Sequence, residues 1–247
     1  MRITKFLSSL LLAGFIITSC GDKDPRSVNA IFQINVGEEA LALESTYSIN
    51  STNVQFTNVA FYLGDMTFET SDGTKYESTS RYTLVKPGMY DFNFTVPEEI
   101  EEDVNLSKIN FFIGVDPDTN SESEMDFTER AAGDPLGQQN PSMHWGWAGG
   151  YRFLAIDGFA DIDGDGEFET QLTYHLGKDA LLRNFSLSPN VMLEEGENKF
   201  EVIFDLNEFL GNLDFSTENF TKVQPDNLDL ANKLFDNYSN AIRFVED

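Results

Sequence analysis

Cysteine is almost missing from these 247 residues: Cys20 is the single one, which excludes an internal disulfide framework and any CxxC metal or redox site. Positive charge is scarce as well. Sixteen Lys and Arg stand against 42 Asp and Glu, a formal charge of −26 that repels phosphate backbones and anionic lipid headgroups and rules out nucleic-acid binding. No apolar stretch reaches the roughly twenty residues a spanning helix needs. Neither GxSxG, HExxH nor a Walker pattern is present, and no nucleophile sits in an obvious pairing with a base, so the chain does not read as an enzyme. Only two histidines, His144 and His175, and two tryptophans, Trp145 and Trp147, occur. Large apolar groups, by contrast, are plentiful. Twenty-two Phe and 40% hydrophobic residues are too many for a disordered acidic polymer and enough for one substantial core.

The first twenty residues read as an address. Arg2 and Lys5 precede a mostly apolar run over 6–17, about twelve residues, which suits a signal peptide better than an anchor. The run ends in Ile17-Thr18-Ser19-Cys20, which resembles a bacterial lipobox, so Cys20 is expected to be the lipidated first residue after removal of 1–19. That cleavage takes two basic residues and no acid, so the net charge falls from −26 to −28. Residues 20–26, with Asp22, Lys23, Asp24 and Pro25, form a short polar linker, similar to the surface-export signal of Bacteroidetes lipoproteins. The expected location is the outer membrane, tethered through lipid, on the periplasmic or the cell-surface face. Residues 27–247 are expected to form one domain.

Within that domain Val28, Ala30, Phe32, Ile34 and Val36 alternate with Asn29, Ile31, Gln33 and Asn35, the period of a strand with one apolar face. The alternation returns at Val59, Phe61 and Leu63, at Tyr90, Phe92, Phe94 and Val96, and at Ile109, Phe111, Ile113 and Val115. Further strands are expected over 82–85, 151–159, 168–176 and 200–206, with Gly, Asn, Asp and Pro between them. Many short strands predict an all-β antiparallel sandwich of Greek-key or immunoglobulin-like type. One C-terminal helix is expected in addition, with Asp226 capping the run Leu228, Leu230, Ala231, Leu234, Phe235, Tyr238, Ala241 and Ile242. Five carboxylates over 97–103 predict an exposed turn.

The scarce residues cluster. His144 lies in Met143-His144-Trp145-Gly146-Trp147, and His175 lies in Tyr174-His175-Leu176-Gly177, on the strand face of Glu169, Gln171 and Thr173 rather than the core face. Two imidazoles brought together are a minimal copper or zinc site. An intact indole adds no ligand, because its nitrogen carries a proton and has no lone pair in the ring plane. These stretches, with Gly150-Tyr151, Phe153, Leu154, Ala60-Phe61-Tyr62-Leu63 and Phe112-Ile113-Gly114-Val115-Asp116 followed by Asn120, resemble the MbnP-like family of copper-binding proteins over about residues 27 to 210. The resemblance implies copper held by two histidines and by a kynurenine made by oxidising a tryptophan, with a di-haem peroxidase-like partner as the oxidant. Carried over, His144 and His175 are the imidazoles, and Trp145 or Trp147 is the modified residue.

A second pattern stands apart. Asp161, Asp163 and Asp165, followed by Gly166, space hard oxygen ligands as the start of a calcium loop does. Leu172 occupies the position where an EF-hand requires a bidentate glutamate, and strands flank the segment. The expectation is a calcium-stabilised hairpin using Asp161, Asp163, Asp165 and Glu169, or a solvated acidic tip. Two functions follow: a lipid-anchored, non-catalytic copper-handling protein, or a calcium-stabilised sandwich for adhesion or ligand binding at the surface.

Overall fold

The computed structural model describes residues 25–96, 104–146 and 149–246. Cys20 with its leader, the acidic segment 97–103 and Trp147 lie outside the described residues.

In chain order come β1 (Arg26–Val36), β2 (Glu39–Ala40), β3 (Thr46–Ile49), β4 (Thr52–Thr70), β5 (Lys75–Glu77), β6 (Tyr82–Val85), β7 (Met89–Thr95) and β8 (Asn105–Ile113). An irregular excursion follows, carrying α1 (Pro117–Asn120) and α2 (Glu124–Thr128). The chain then returns as β9 (Arg152–Asp161), β10 (Thr170–Gly177), β11 (Arg183–Leu187), β12 (Val191–Met192) and β13 (Gly196–Asp205). It finishes with α3 (Leu206–Leu210), β14 (Phe220–Thr221), α4 (Leu228–Ala241) and β15 (Ile242–Glu246). All the strands expected from the alternation are present.

Two sheets form. One runs β15-β13-β1-β2, with β7 also on β1; the other runs β11-β8-β4-β9-β10-β14, with β3, β5 and β6 on β4 and β12 on β8. The all-β sandwich is therefore as expected, but its sheets are mixed, because β1 pairs with β13 in parallel over Arg26 to Asn35 and β10 meets β14 in parallel. Alternation reports which face is buried and carries no strand direction, so the parallel pairing had no sequence signal. The core lies between the sheets. Phe32 of β1 meets Phe111 of β8 edge-to-face at 5.3 Å, and Phe61 of β4 meets Phe204 of β13 at 5.1 Å. Each such ring, withdrawn wholly from water, contributes about 1.5–3 kcal/mol.

Helix α4 presents Ala231, Leu234, Tyr238 and Ala241 to this core at helical spacing. Two details differ from expectation. Asp226 does not cap the helix: it sits in a 3-10 turn over Pro225–Asn227, where Asn227 Oδ1 accepts from Gln224 N and from the Thr221 hydroxyl. Ile242 leaves the helix and starts β15, which completes the first sheet against β13.

The second sheet has an occupied outer face. A smaller apolar cluster there joins Ala60 and Tyr62 of β4, Phe112 of β8, and Tyr151, Phe153 and Ala155 to Leu136 and Met143 of the excursion. The described residues of the excursion thus pack on this outer face at one end of β9 and β10, with His144 bridged to Tyr151 and Trp145 lying against Gly177.

Candidate metal centre

His144 is placed by a short antiparallel bridge to Tyr151, in which Trp145 N donates to Gly150 O at 2.9 Å and Arg152 N donates to Met143 O at 2.8 Å. The turn between is closed by Gly149 N donating to Gly146 O. The His144 ring stacks on Phe127 at 4.3 Å and meets Tyr151 edge-to-face at 4.8 Å. Its Nδ1 accepts the Gly146 N–H at 3.0 Å. Burial, with the Arg152 guanidinium adding to it, pushes the His144 pKa below its ordinary value. The imidazole is therefore neutral at neutral pH, the form a metal requires.

His175 is on β10 opposite Ala155 of β9, on the outer face, and is only 4% exposed. Alternation correctly keeps it out of the sandwich core, yet it is buried on the outer face nonetheless. Its Nε2 donates to Asp157 Oδ1 at 2.8 Å, because an ionised carboxylate only accepts. Asn58 Nδ2 donates to the other oxygen, Oδ2, at 3.1 Å. Burial by itself raises the Asp157 pKa, but the hydrogen bond from His175, then Asn58 and the Arg152 guanidinium, outweigh it and hold the carboxyl below its ordinary value. His175 Nδ1 is buried and has no hydrogen-bond partner.

Trp145 connects the two. Its ring lies against Gly177, two residues past His175, at a bulge between Leu176 and Gly177. A Cβ at Gly177 would fall 2.5 Å and 2.6 Å from two Trp145 ring carbons and 2.6 Å from Tyr151 O, so only glycine admits the indole here. Lys178, at φ 77° and ψ 142°, holds a backbone conformation that L residues rarely adopt, and its ammonium sits 5.5 Å from the Trp145 ring centroid. Trp145 Nε1 is buried without an acceptor.

Asn120 ties the segments from the other side. Its Oδ1 accepts Tyr151 N at 2.9 Å, its Nδ2 donates to Asp179 Oδ1 at 2.8 Å, and Gly150, at φ 71°, lets the hairpin approach it. One side chain thus pins the His144 hairpin to the turn that follows His175. Among the described residues, no hydrogen bond or ring contact joins the two imidazoles directly. The sites are joined through Tyr151, Trp145 and Asn120.

The donor set fits copper. Imidazole nitrogen suits that metal, His144 is partly buried, and His175 presents a buried Nδ1 with no hydrogen-bond partner. Asp157 and Asn58 were not singled out from sequence, and Gly177 entered only as part of the stretch Tyr174-His175-Leu176-Gly177. A usable signal existed for Asp157: it is a lone carboxylate in the run Leu154-Ala155-Ile156-Asp157-Gly158, where apolar residues otherwise fall on both faces.

The acidic hairpin is a separate feature. Asp161, Asp163 and Asp165 each offer a carboxylate oxygen within 4.8 Å of one another, while Glu169 is not brought into the group. Asp161, 3% exposed, already accepts Gly164 N at 2.7 Å and Gly166 N at 3.1 Å, so its oxygens close the turn.

Residues 25–228 match the family model described as MbnP. The fold is similar to that of MbnP from Methylosinus trichosporium, with a TM-score of 0.50 and 13% sequence identity, covering 81% of this chain and 82% of that one. Among curated proteins no sequence match was found.

Proposed function

The chain belongs to the MbnP family, and from that premise we propose that it handles copper, with His144 and His175 as imidazole ligands and an oxidised Trp145 or Trp147 as the third donor. One observation carries the reading: a buried His175 with a bare Nδ1 stands on the strand whose end is covered by Trp145, the residue next to His144. Kynurenine would supply the aniline amine that an intact indole lacks. A carrier role fits better than catalysis, since among the described residues neither imidazole is hydrogen-bonded to a hydroxyl or thiol nucleophile.

The rest of the proposal rests on sequence. Lipid on Cys20 would hold the domain at the outer membrane, facing the periplasm or the cell surface, and the acidic body would stay clear of anionic headgroups. Oxidation of the tryptophan needs an external oxidant, for which a di-haem peroxidase-like partner is the proposed source. The test is metal analysis after copper loading, combined with intact mass. Wild-type protein should retain copper and the His144→Ala and His175→Ala variants should not; unchanged stoichiometry in both variants overturns the reading. Peptide mass spectrometry across 143–151 identifies the modified tryptophan.

A further inference from the structure

We infer that Asp157, held by Asn58, is a positioning residue that commits His175 to bind copper through Nδ1. This rests on the reading of His144 and His175 as ligands and goes beyond it by naming the ligating atom and the residue that selects it.

The arrangement spans three adjacent strands. Asn58 of β4 pairs with Asp157 of β9 on the outer face of the second sheet, and His175 of β10, which pairs with Ala155, reaches Asp157 diagonally from two positions along. The alignment depends on an irregularity in β4: Phe56 pairs with Gly158 and Asn58 pairs with Asp157, so Thr57 is an extra residue. A bulge of this kind re-aims a side chain. Here it brings Asn58 opposite Asp157, where its amide occupies Oδ2 and leaves Oδ1 for His175. Both carboxylate oxygens are thereby committed to donors, which fixes the proton of His175 on Nε2.

The remaining nitrogen, Nδ1, then carries the lone pair, and it is buried without a partner. Such an atom is costly to desolvate unless something occupies it. A histidine that ligates metal through one ring nitrogen and donates the other N–H to a carboxylate is a recurrent pattern, and the carboxylate orients the ring and raises its basicity. His144 differs. Its Nδ1 lone pair already accepts the Gly146 N–H, so binding there must first release that contact. His175 is the preset ligand and His144 the one that adapts.

The test combines ring-nitrogen NMR on the copper-free full chain with competitive titration by cuprous ion. The inference predicts an Nε2-protonated His175 before loading, and an Nδ1 resonance that shifts on loading. Asp157→Asn keeps an acceptor but weakens it, and should lower copper affinity about 10- to 100-fold. Asn58→Ala should cost less. An Nδ1-protonated His175, copper at Nε2, or wild-type affinity in a folded Asp157→Asn protein overturns the inference. The NMR measurement on wild-type protein decides it even if the variants do not fold. If His175→Ala abolishes binding while Asp157→Asn does not, only this inference fails. If both histidine variants bind as wild type does, or the wild type binds no copper, the copper reading itself fails and this inference with it.

Discussion

Substituting Gly177 by alanine tests whether the Trp145 ring really closes the space beside His175. The glycine φ is unexceptional, so the methyl is opposed by contacts alone. It would lie 2.5–2.6 Å from two ring carbons of Trp145 and from the Tyr151 carbonyl oxygen. Ordinary contact begins at about 3.5 Å, so the clash is roughly 1 Å deep. Moving the indole relieves only part of it, because Tyr151 O belongs to the backbone beside β9. Overpacking of this kind costs about 1–3 kcal/mol. For a domain of this size that is a fall in Tm of roughly 2–12 °C. In a Trp147→Phe background Trp145 is the sole indole, so its fluorescence and its quenching by acrylamide report the ring directly. The expected result is a lower Tm together with a more quenchable Trp145 in that background, and weaker copper binding in Gly177→Ala protein that keeps Trp147. An unchanged Tm with unchanged quenching would show that the ring does not occupy this position, and the proposed link between the two histidines would be lost.

Asn120→Ala removes the acceptor for Tyr151 N and the donor to Asp179, and should destabilise by about 1–3 kcal/mol while weakening copper binding; denaturant unfolding and titration check both. Asp161→Ala should lower Tm by freeing the Gly164 and Gly166 amides, whereas calcium added to the wild type at constant ionic strength should leave Tm unchanged; a calcium-dependent rise would show that the three aspartates bind the ion. Acidification should act through His144. Its folded-state pKa is depressed, so the unfolded chain takes up the proton first: stability is complete above about pH 6.5 and declines as pH falls below it. His144→Gln should flatten that part of a Tm-against-pH curve. The fall below about pH 4 should persist, since the Asp116 and Asp157 carboxyls are held below their ordinary values in the fold and lose their contribution once protonated.

What was legible in the sequence was whatever repeats at a strand period. Val28 to Val36 and Ile109 to Val115 display the buried face of a sandwich without ambiguity, and Ala231 to Ala241 displays the helix. Contacts between distant segments were not legible. The parallel pairing of β1 with β13 joins residues about 170 positions apart, and nothing in either strand encodes its direction. Strand β15 follows a helix directly and is too short for its alternation to show. The scarcity of His and Trp drew attention to 143–151 and 174–177, but periodicity, which puts His175 on the outer face, does not show that this position is buried. Asp157 and Gly177 acquire meaning only from partners on neighbouring strands, His175 and Trp145 respectively.

The central claim is that His144 and His175 share one copper ion. X-ray absorption spectroscopy of the copper-loaded protein counts imidazoles at the metal through their multiple scattering. The account predicts two imidazoles in wild-type protein and one fewer in any copper retained by His175→Ala; a spectrum showing no imidazole, or the same number in that variant, would contradict it.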